Sequence, residues 1–339
     1  MNQMKIINNN FTKNLMLIFL SVLLTLFFIE IILRFTGSKP LEKDTLLSID
    51  EPITNKIDNE LGWVTQKGVH RFKPWAKEGK ITKLTINKDG SRFINSNNES
   101  LSKIIFIGGS ITQGWAVDDK ETFSYFLQEK FTNHKLYNFG VGGYGGYQSL
   151  LTLERIFKEK DNVKNVIYGF LPHHEVRNVA AGSWLFLLNK FSRKGIVKLP
   201  YGSIGEKDTL IRNQPIEYIK LPWSEYFALI AKIEKKIMKF KSYKREKNQS
   251  QISLKIINNM NNLSIKNNSK FHIVTLEKFG DNRTEKYERF FEESKISNFN
   301  CYLPTKKKYG VPGDGHPNEL SHKIISECIF KNLKSENIN

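Results

Sequence analysis

The stretch IIFIGGSITQG occupies residues 104–114 and decides our prediction of the fold. Its first part, IIFIG (104–108), is a short continuous apolar run that ends in glycine, which is typical of a buried strand in a parallel sheet. Ser110 follows at the predicted turn from strand to helix. Because ligands of open α/β sheets bind at the carboxyl ends of the strands, the sequence places Ser110 at the edge where a functional site is expected.

Apolar runs and helix-like stretches alternate along the rest of the chain. The other predicted strands are KLYNFG (135–140), NVIYGFLP (165–172), FHIVTL (271–276) and SNFNCYL (297–303). The predicted helices are FSYFLQEKF (123–131), YQSLLTLERIFKE (147–159), residues 224–247, ISLKIINNMNNLS (252–264) and ELSHKIISECIFKNL (319–333). Strands that alternate with helices predict an α/β domain with a parallel sheet and helices on both of its faces.

Residues 15–35 are about twenty mostly apolar residues, long enough to span a bilayer. No small-residue cleavage site follows, so we predict an uncleaved transmembrane anchor. Glu30 is unusual in such a segment, but Arg34 lies one helical turn further on and can pair with it. Lys5 and Lys13 precede the span, which predicts a cytoplasmic tail and a main body on the extracytoplasmic, or periplasmic, side.

The chain is therefore predicted to fall into three segments. Residues 1–37 would form the tail and the anchor, and residues 38–98 a small appendage with short strands around an Asp-Gly turn. Residues 99–335 would form the α/β domain, with an insertion around 181–250. The predicted helix at 224–247 could either cover this domain or lie on a membrane surface.

The formal net charge is +18, which suits an anionic partner. The sequence has no recognition helix, no zinc-ligand spacing and no aromatic RNA-binding motif, so we predict that it does not bind nucleic acid. Lysines are scattered except in Lys232–Lys247. This leaves a solvated surface, anionic lipid or an acidic polymer as interpretations of the charge. Cys301 and Cys328 could be either a disulfide or two buried thiols, and no metal or organic cofactor is implied.

Two motifs carry candidate chemistry. A serine is a weak nucleophile and needs an adjacent base. DGHPN (314–318) lies after the last predicted strand and before the closing helix, which brings it to the sheet edge where Ser110 is expected. His316 is the candidate base, and Asp314 could orient its imidazole and stabilise the charged form.

Two glycine-rich stretches resemble nucleotide-binding turns. GVGGYG (140–145) matches the glycine spacing of a dinucleotide-binding turn. The next strand, however, ends in GFLP and has no acidic residue for a ribose. GGSITQG (108–114) is not a phosphate-binding loop, because no Lys-Ser/Thr pair follows its second glycine.

Together, these blocks resemble the SGNH (GDSL-like) hydrolase family. GGSITQG stands in place of the family's first block, NFGVGG (138–143) is similar to the second, and DGHPN to the last. LGWV (61–64), NKDGSRF (87–93), WAVDDKETF (115–123) and the Glu30/Arg34 pair are similar to the membrane-anchored branch of that family. The resemblance implies a three-layer α/β/α sandwich of the flavodoxin-like kind.

The resemblance also implies roles for single residues. Ser110 would be the nucleophile, His316 the general base and Asp314 its orienter. The backbone N–H groups of Ser110 and Gly143 would stabilise the oxyanion. The family's third block, which supplies an Asn donor, is absent: LPHHEVRN (171–178) stands there instead.

Three departures from the family pattern follow from these residues. His173 or His174 could replace the missing Asn donor, or both could be polar loop residues. Gly109 replaces an Asp of the first block, which is not a catalytic one. Asp314 lies two residues before the histidine, where the family commonly has three.

The implied chemistry is acyl transfer through an acyl-enzyme. Water as the acceptor would make the protein an esterase, and a sugar hydroxyl would make it an O-acyltransferase. An extracytoplasmic location predicts acyl esters, such as acetyl esters, of envelope polysaccharide or glycolipid as substrates. The alternative is an inactive protein of the same fold that binds glycan or serves as a scaffold in an export or modification complex.

Overall fold

The computed structural model describes residues 2–41, 54–73, 80–96, 101–191 and 197–338, with side chains from residue 11 onward. The chain forms two compact units, Met1–Lys43 with Ile219–Phe240, and Asp44–Tyr218 with Lys241–Asn339. The predicted division at residues 37 and 98 stays a prediction, and its second boundary lies outside the described residues.

The described residues contain strands and helices in alternation. The strands are β1 (Asn55–Asp58), β2 (Gly62–Thr65), β3 (Gly68–Phe72), β4 (Thr82–Ile86), β5 (Ser102–Gly108), β6 (His134–Gly140), β7 (Val163–Phe170), β8 (Lys198–Ile204), β9 (Leu210–Glu217), β10 (Lys270–Thr275) and β11 (Ser297–Asn300). The helices are α1 (Asn2–Phe35), α2 (Ser110–Gln113), α3 (Phe123–Gln128), α4 (Gly146–Glu159), α5 (His174–Asn178), α6 (Gly182–Phe191), α7 (Ala228–Lys247), α8 (Gln249–Lys266), α9 (Arg283–Glu293) and α10 (Glu319–Ser335).

Five parallel strands form the central sheet in the order β6-β5-β7-β10-β11. Counted along the chain within the sheet, this is the order 2-1-3-4-5 of flavodoxin-like folds. The strand order reverses between β5 and β7, and the carboxyl ends at such a switch point form a crevice. Ser110, directly after β5, lies at this point.

The sheet is covered on both faces, as predicted. Ile104 and Phe106 on β5 are buried in a hydrophobic core. Helices α3 and α10 contribute to this core through Leu127, Ile325 and Ile329. Helices α4 and α8 pack against each other and against β5, β7 and β10. Because successive side chains of a strand point to opposite faces, the continuous apolar run of β5 is what burial on both faces requires. The predicted three-layer α/β/α sandwich is confirmed.

Two further segments add detail to the fold. Residues 181–223, inside the predicted insertion around 181–250, contain α6 and the antiparallel hairpin β8–β9. The predicted Asp-Gly turn is present in NKDGSRF (87–93), where it follows β4 and Gly90 has a positive φ of 84°. After this turn, Arg92 makes isolated bridges to Ile86 of β4 and to Asn138 of β6.

Cys301 and Cys328 are joined in a disulfide with a Cα–Cα distance of 5.7 Å. The sequence left this pairing open. The bond connects the segment after β11 to α10 and closes a loop with a sequence separation of 27.

Removing the disulfide is expected to lower the free energy of unfolding. A closed loop of this length predicts a loss of about 3 to 4 kcal/mol, mainly through the entropy gained by the unfolded chain. The measurement is denaturant unfolding of the wild type and of a Cys301→Ala/Cys328→Ala variant, each with and without reductant. An unfolding midpoint that neither the substitution nor the reductant changes would contradict the bond's contribution.

The smaller unit contains the apolar part of α1. Residues Phe11–Phe35 are long and apolar enough to cross a membrane, and their side chains are largely exposed. The predicted Glu30/Arg34 ion pair is present, with Arg34 Nε donating to Glu30 Oε1 at 2.7 Å. The Glu30 carboxylate also accepts the backbone N–H groups of Ala228 and Leu229, at 2.8 and 2.9 Å. A carboxylate is favourable there, because the first N–H groups of α7 have no intrahelical acceptor.

Candidate active site

Three glycines make room for the turn that carries Ser110. Gly140, Gly108 and Gly169 lie side by side at the carboxyl ends of β6, β5 and β7. A Cβ atom at Gly108 or Gly169 would lie 2.3 or 2.2 Å from the Thr112 hydroxyl oxygen, and one at Gly140 would lie 2.4 Å from the backbone nitrogen of Gln113. Only glycine therefore allows α2 to cross the sheet this closely, which fixes Ser110 at the sheet edge.

His316 reaches the serine from the loop before α10. This loop is held by an isolated bridge between Gly310 and Pro317 and by a 2.8 Å hydrogen bond from Val311 N–H to the His316 carbonyl. Asn318 then caps α10 by accepting the Ser321 N–H at 3.3 Å. The His316 side chain is thus set by a loop that is anchored at both ends.

Ser110, His316 and Asp314 form a continuous chain of hydrogen bonds. His316 Nε2 lies 2.8 Å from Ser110 Oγ, and His316 Nδ1 contacts Asp314 Oδ1. The Asp314 side chain is fully buried and also accepts the backbone N–H of His316 at 3.0 Å. A carboxylate only accepts hydrogen bonds, so Nδ1 carries the proton and Nε2 is left to accept the serine hydroxyl.

The structure separates the two candidate histidines of the third block. His173 lines the cleft that contains Ser110 and His316. His174 is fully buried, with Nδ1 at 2.7 Å from the Tyr168 hydroxyl and no hydrogen-bond partner at Nε2 among the described residues. Burial lowers the pKa of His174 well below its ordinary value, so its ring is neutral. Of the two, His173 is the one that can reach a substrate.

The two candidate backbone donors differ in position. The Ser110 N–H lies at the first position of α2, where helical N–H groups have no intrahelical acceptor. Gly143 adopts a left-handed φ of 85°, and a Cβ there would lie 2.9 Å from the Trp63 ring. Gly143 is not among the residues that line the cleft around Ser110. The cleft thus contains Ser110, His316, Asp314 and His173, while His174 and Gly143 are not among its lining residues.

The glycines of GVGGYG (140–145) have packing partners. A Cβ at Gly145 would lie 2.7 Å from the Arg177 Cβ and 2.8 Å from the Asn178 side-chain oxygen. Gly142 donates its backbone N–H to the Gln113 side chain at 2.9 Å. Close packing against α5 and α2 accounts for these glycines without a bound nucleotide. In the described part of the chain, no cluster of three or more His, Cys, Asp or Glu could hold a metal ion.

Arg92 holds the carboxyl end of the Ser110 turn, a role that the sequence did not suggest. It is fully buried and donates to the carbonyl oxygens of Gln113 at 2.9 Å, of Gly114, and of Val117 at 2.6 Å. Asp119 lies 3.6 Å from its guanidinium. These carbonyls lie at the last residue of α2 and just after it, so one side chain fixes the end of the short helix. The only sequence signal was the position of Arg92 in NKDGSRF.

Arg92→Met is expected to lower the free energy of unfolding by about 3 kcal/mol, because buried carbonyls lose a donor and Asp119 loses a nearby positive charge. It should also lower ester cleavage about 100-fold through a small displacement of Ser110. Arg92→Lys should rescue little, since a single ammonium cannot span these carbonyls. Denaturant unfolding and steady-state rates test this, with exposed Arg71→Met on β3 as the control. Wild-type stability and activity in Arg92→Met would refute the role.

Trp63 connects the N-terminal hairpin to the second glycine block. It is fully buried, and its indole Nε1 donates to the Gly142 carbonyl at 3.0 Å. Tyr144 donates its hydroxyl to the Trp63 carbonyl, and the two rings meet edge to face at 5.5 Å. LGWV (61–64), most of which belongs to β2, thus supports the loop that follows β6.

No family model and no curated protein matches the sequence. Several solved structures are similar in fold. A member of the lipolytic G-D-S-L family from Veillonella parvula is 11% identical, with 68% of this chain and 97% of that chain covered and a TM-score of 0.40. The psychrotrophic esterase EstA from Pseudoalteromonas sp. is also 11% identical, with 70% and 100% covered and a TM-score of 0.42. The solved structures similar to this chain thus include G-D-S-L proteins, the group that its motifs resemble.

Proposed function

We propose that this protein is a serine esterase or O-acyltransferase that works through an acyl-enzyme on Ser110. The observation that carries the proposal is the chain from the Ser110 hydroxyl through His316 to the buried carboxylate of Asp314. A nucleophile, a base within hydrogen-bond reach and an orienting group are the arrangement that serine acyl transfer needs.

The first half-reaction forms the acyl-enzyme. Ser110 Oγ attacks the ester carbonyl carbon while His316 Nε2 takes the hydroxyl proton. The new Oγ–C bond replaces the bond to the alcohol, and His316 returns its proton to the departing alkoxide. Asp314 stays ionised and stabilises the charged imidazole. The backbone N–H of Ser110 would stabilise the oxyanion, and loss of one such donor typically costs about 10²–10³ in rate.

His173 is the side chain in this chain best placed to supply a second donor to the oxyanion. It lines the cleft with Ser110, and a neutral imidazole has one N–H to donate. This would replace the Asn that the family's third block provides. The backbone N–H of Gly143 stays the other expected donor.

The second half-reaction decides between the two activities. His316 deprotonates either water or a sugar hydroxyl, which attacks the acyl carbonyl and releases Ser110. The cleft has a volume of about 1040 Å³ and is open to solvent, so it supports a bulky carbohydrate or glycolipid substrate better than a small free ester.

We further propose that α1 anchors the protein in a membrane, with the active site on the extracytoplasmic side. The apolar span Phe11–Phe35 supports the anchor. Trp223 and Tyr226, each 67% exposed, follow the pattern of aromatic residues at a membrane surface, and Arg34 donates to the Tyr226 carbonyl at 2.7 Å. The Cys301–Cys328 disulfide supports an oxidising compartment.

The start of α7 supports the membrane-surface interpretation of the helix predicted at 224–247. Its first N–H groups bind Glu30 of α1, and Phe240 is 85% exposed. Anionic lipid headgroups would then face the lysines that follow Lys232.

The test offers the purified full chain an acetylated polysaccharide and a neutral aryl acetate, and measures both released acetate and acetyl transferred to an added oligosaccharide. Free acetate alone would identify an esterase, and acetylated oligosaccharide a transferase. If the folded protein forms neither product, the proposal is overturned and the inactive, glycan-binding alternative is favoured.

A further inference from the structure

We propose that the active-site cleft binds a negatively charged group of the ester substrate, a carboxylate or a phosphate, through Arg177. The inference deepens the proposed function and rests on it for the identity of the reacting ester. It specifies which chemical class of ester the cleft selects.

Arg177 lies in the cleft and has no carboxylate partner among the described residues. It is on α5 and shares the cleft with Ser110 and His316. Its Nη1 donates to the Tyr144 carbonyl at 2.9 Å, and its guanidinium stacks over the Trp184 ring at 4.4 Å. These two contacts orient the side chain but do not neutralise its charge.

Other arginines of the same unit are neutralised by acids. Carboxylate partners are present for Arg92, Arg155, Arg212 and Arg283. Arg245 instead donates to three backbone carbonyls. Burying an unpaired charge is costly, so an arginine without a carboxylate partner beside the nucleophile favours an anionic ligand in that place.

The remaining donors of Arg177 suit a planar anion. A guanidinium has five N–H donors, of which the Tyr144 carbonyl uses one. The Trp184 ring covers one face of the guanidinium and leaves the edge of the guanidinium for hydrogen bonds. Burial lowers the pKa of Arg177 to about 10, so the group still carries its charge at neutral pH. An Arg edge binds carboxylate or phosphate through two parallel hydrogen bonds.

The rest of the cleft adds positive charge. Lys306 and Lys307 line it together with Arg177, and Glu277 is the opposing acid besides Asp314, which is paired with His316. A concave surface with this balance attracts anions. Uronic-acid carboxylates and phosphodiesters are the two sources of such a group in esterified polymers and lipids.

The experiment compares three aryl acetates whose para substituent is a neutral methyl ester, a carboxylate or a phosphate, namely methyl 4-acetoxybenzoate, 4-acetoxybenzoate and 4-acetoxyphenyl phosphate. We expect kcat/KM of the full-length protein to be at least 10-fold higher for one of the anions than for the neutral ester. Arg177→Gln, which keeps a donor for Tyr144, should reduce this ratio at least 10-fold, and Arg177→Lys should restore part of it. Lys331→Gln removes a charge outside the cleft and should keep the wild-type ratio.

A preference for the benzoate would indicate a carboxylate-bearing substrate, and one for the aryl phosphate a phosphate-bearing substrate. A ratio near one in the wild type, or one that Arg177→Gln leaves unchanged, would overturn the inference while leaving the esterase intact. If no ester is cleaved, the proposed function fails, and calorimetric titration of the Ser110→Ala protein with the same three compounds decides. Arg177-dependent binding of an anion would then support the anion site, and equal or no binding would refute it.

Discussion

Ser110→Ala is expected to lower the rate of ester cleavage by about 10⁵-fold, to near the level that binding and the oxyanion donors alone supply. The physical reason is that the Ser110 hydroxyl lies 2.8 Å from His316 Nε2, which must take its proton. The substitution removes one oxygen from a half-exposed side chain, so the fold should be unaffected. Steady-state kinetics on a neutral aryl acetate, with enzyme at high concentration, measures the effect.

The control for this variant is Ser321→Ala. Ser321 also lies on the cleft but donates its hydroxyl to the Tyr309 carbonyl. It should retain activity within about an order of magnitude, since it loses one hydrogen bond of about 1 kcal/mol. Substantial cleavage by Ser110→Ala would assign the nucleophile to another residue.

Asp314→Asn is expected to lower kcat by about 10⁴-fold with little change in stability. An amide in place of the carboxylate can donate to Nδ1, which moves the imidazole proton to Nε2 and removes the acceptor for Ser110. Asp314 does not touch the reacting atoms in this account, so KM should change much less than kcat. A comparison of kcat and KM for wild type and Asp314→Asn makes the test.

Nearby acids provide the matched control for Asp314. Glu277→Gln neutralises another carboxylate of the same cleft that has no contact with His316 Nδ1. If Asp314→Asn and Glu277→Gln have equally small effects, Asp314 is not the orienter. In that event, Asp314, which lies two residues before His316, would have only a structural role in the loop.

The sequence was sufficient to predict the sheet and the nucleophile turn. A run such as IIFIG has the pattern of a strand that is covered on both faces, and the structure shows why its last residue is glycine. Gly108 is needed because Thr112 would collide with any Cβ there. The position of His316 also followed from topology, since a loop after the last parallel strand returns to the same edge of the sheet.

The sequence could not resolve contacts that depend on side-chain direction. His173 and His174 are neighbours in the chain, yet one lines the cleft and the other is fully buried next to Tyr168. The shared segment LPHHEVRN carries no period that would distinguish them, because the turn into α5 sets both orientations.

Long-range support of the site was equally invisible in the sequence. Arg92 reaches carbonyls more than twenty residues away, from Gln113 to Val117. Trp63 reaches Gly142 across a sequence separation of 79. Nothing local marks such residues, because the groups that they satisfy belong to a turn formed elsewhere in the chain. A buried guanidinium or indole that donates to a distant turn is recognisable only in three dimensions.

The central claim is that Ser110 is an activated nucleophile, and covalent labelling with a fluorophosphonate tests it most directly. The full-length protein in detergent would be labelled, digested and mapped by mass spectrometry, beside folded Ser110→Ala and His316→Ala variants. We expect one adduct, on Ser110, that is absent in Ser110→Ala and forms far more slowly in His316→Ala. An unlabelled folded wild type, or an adduct on any other residue, would contradict it.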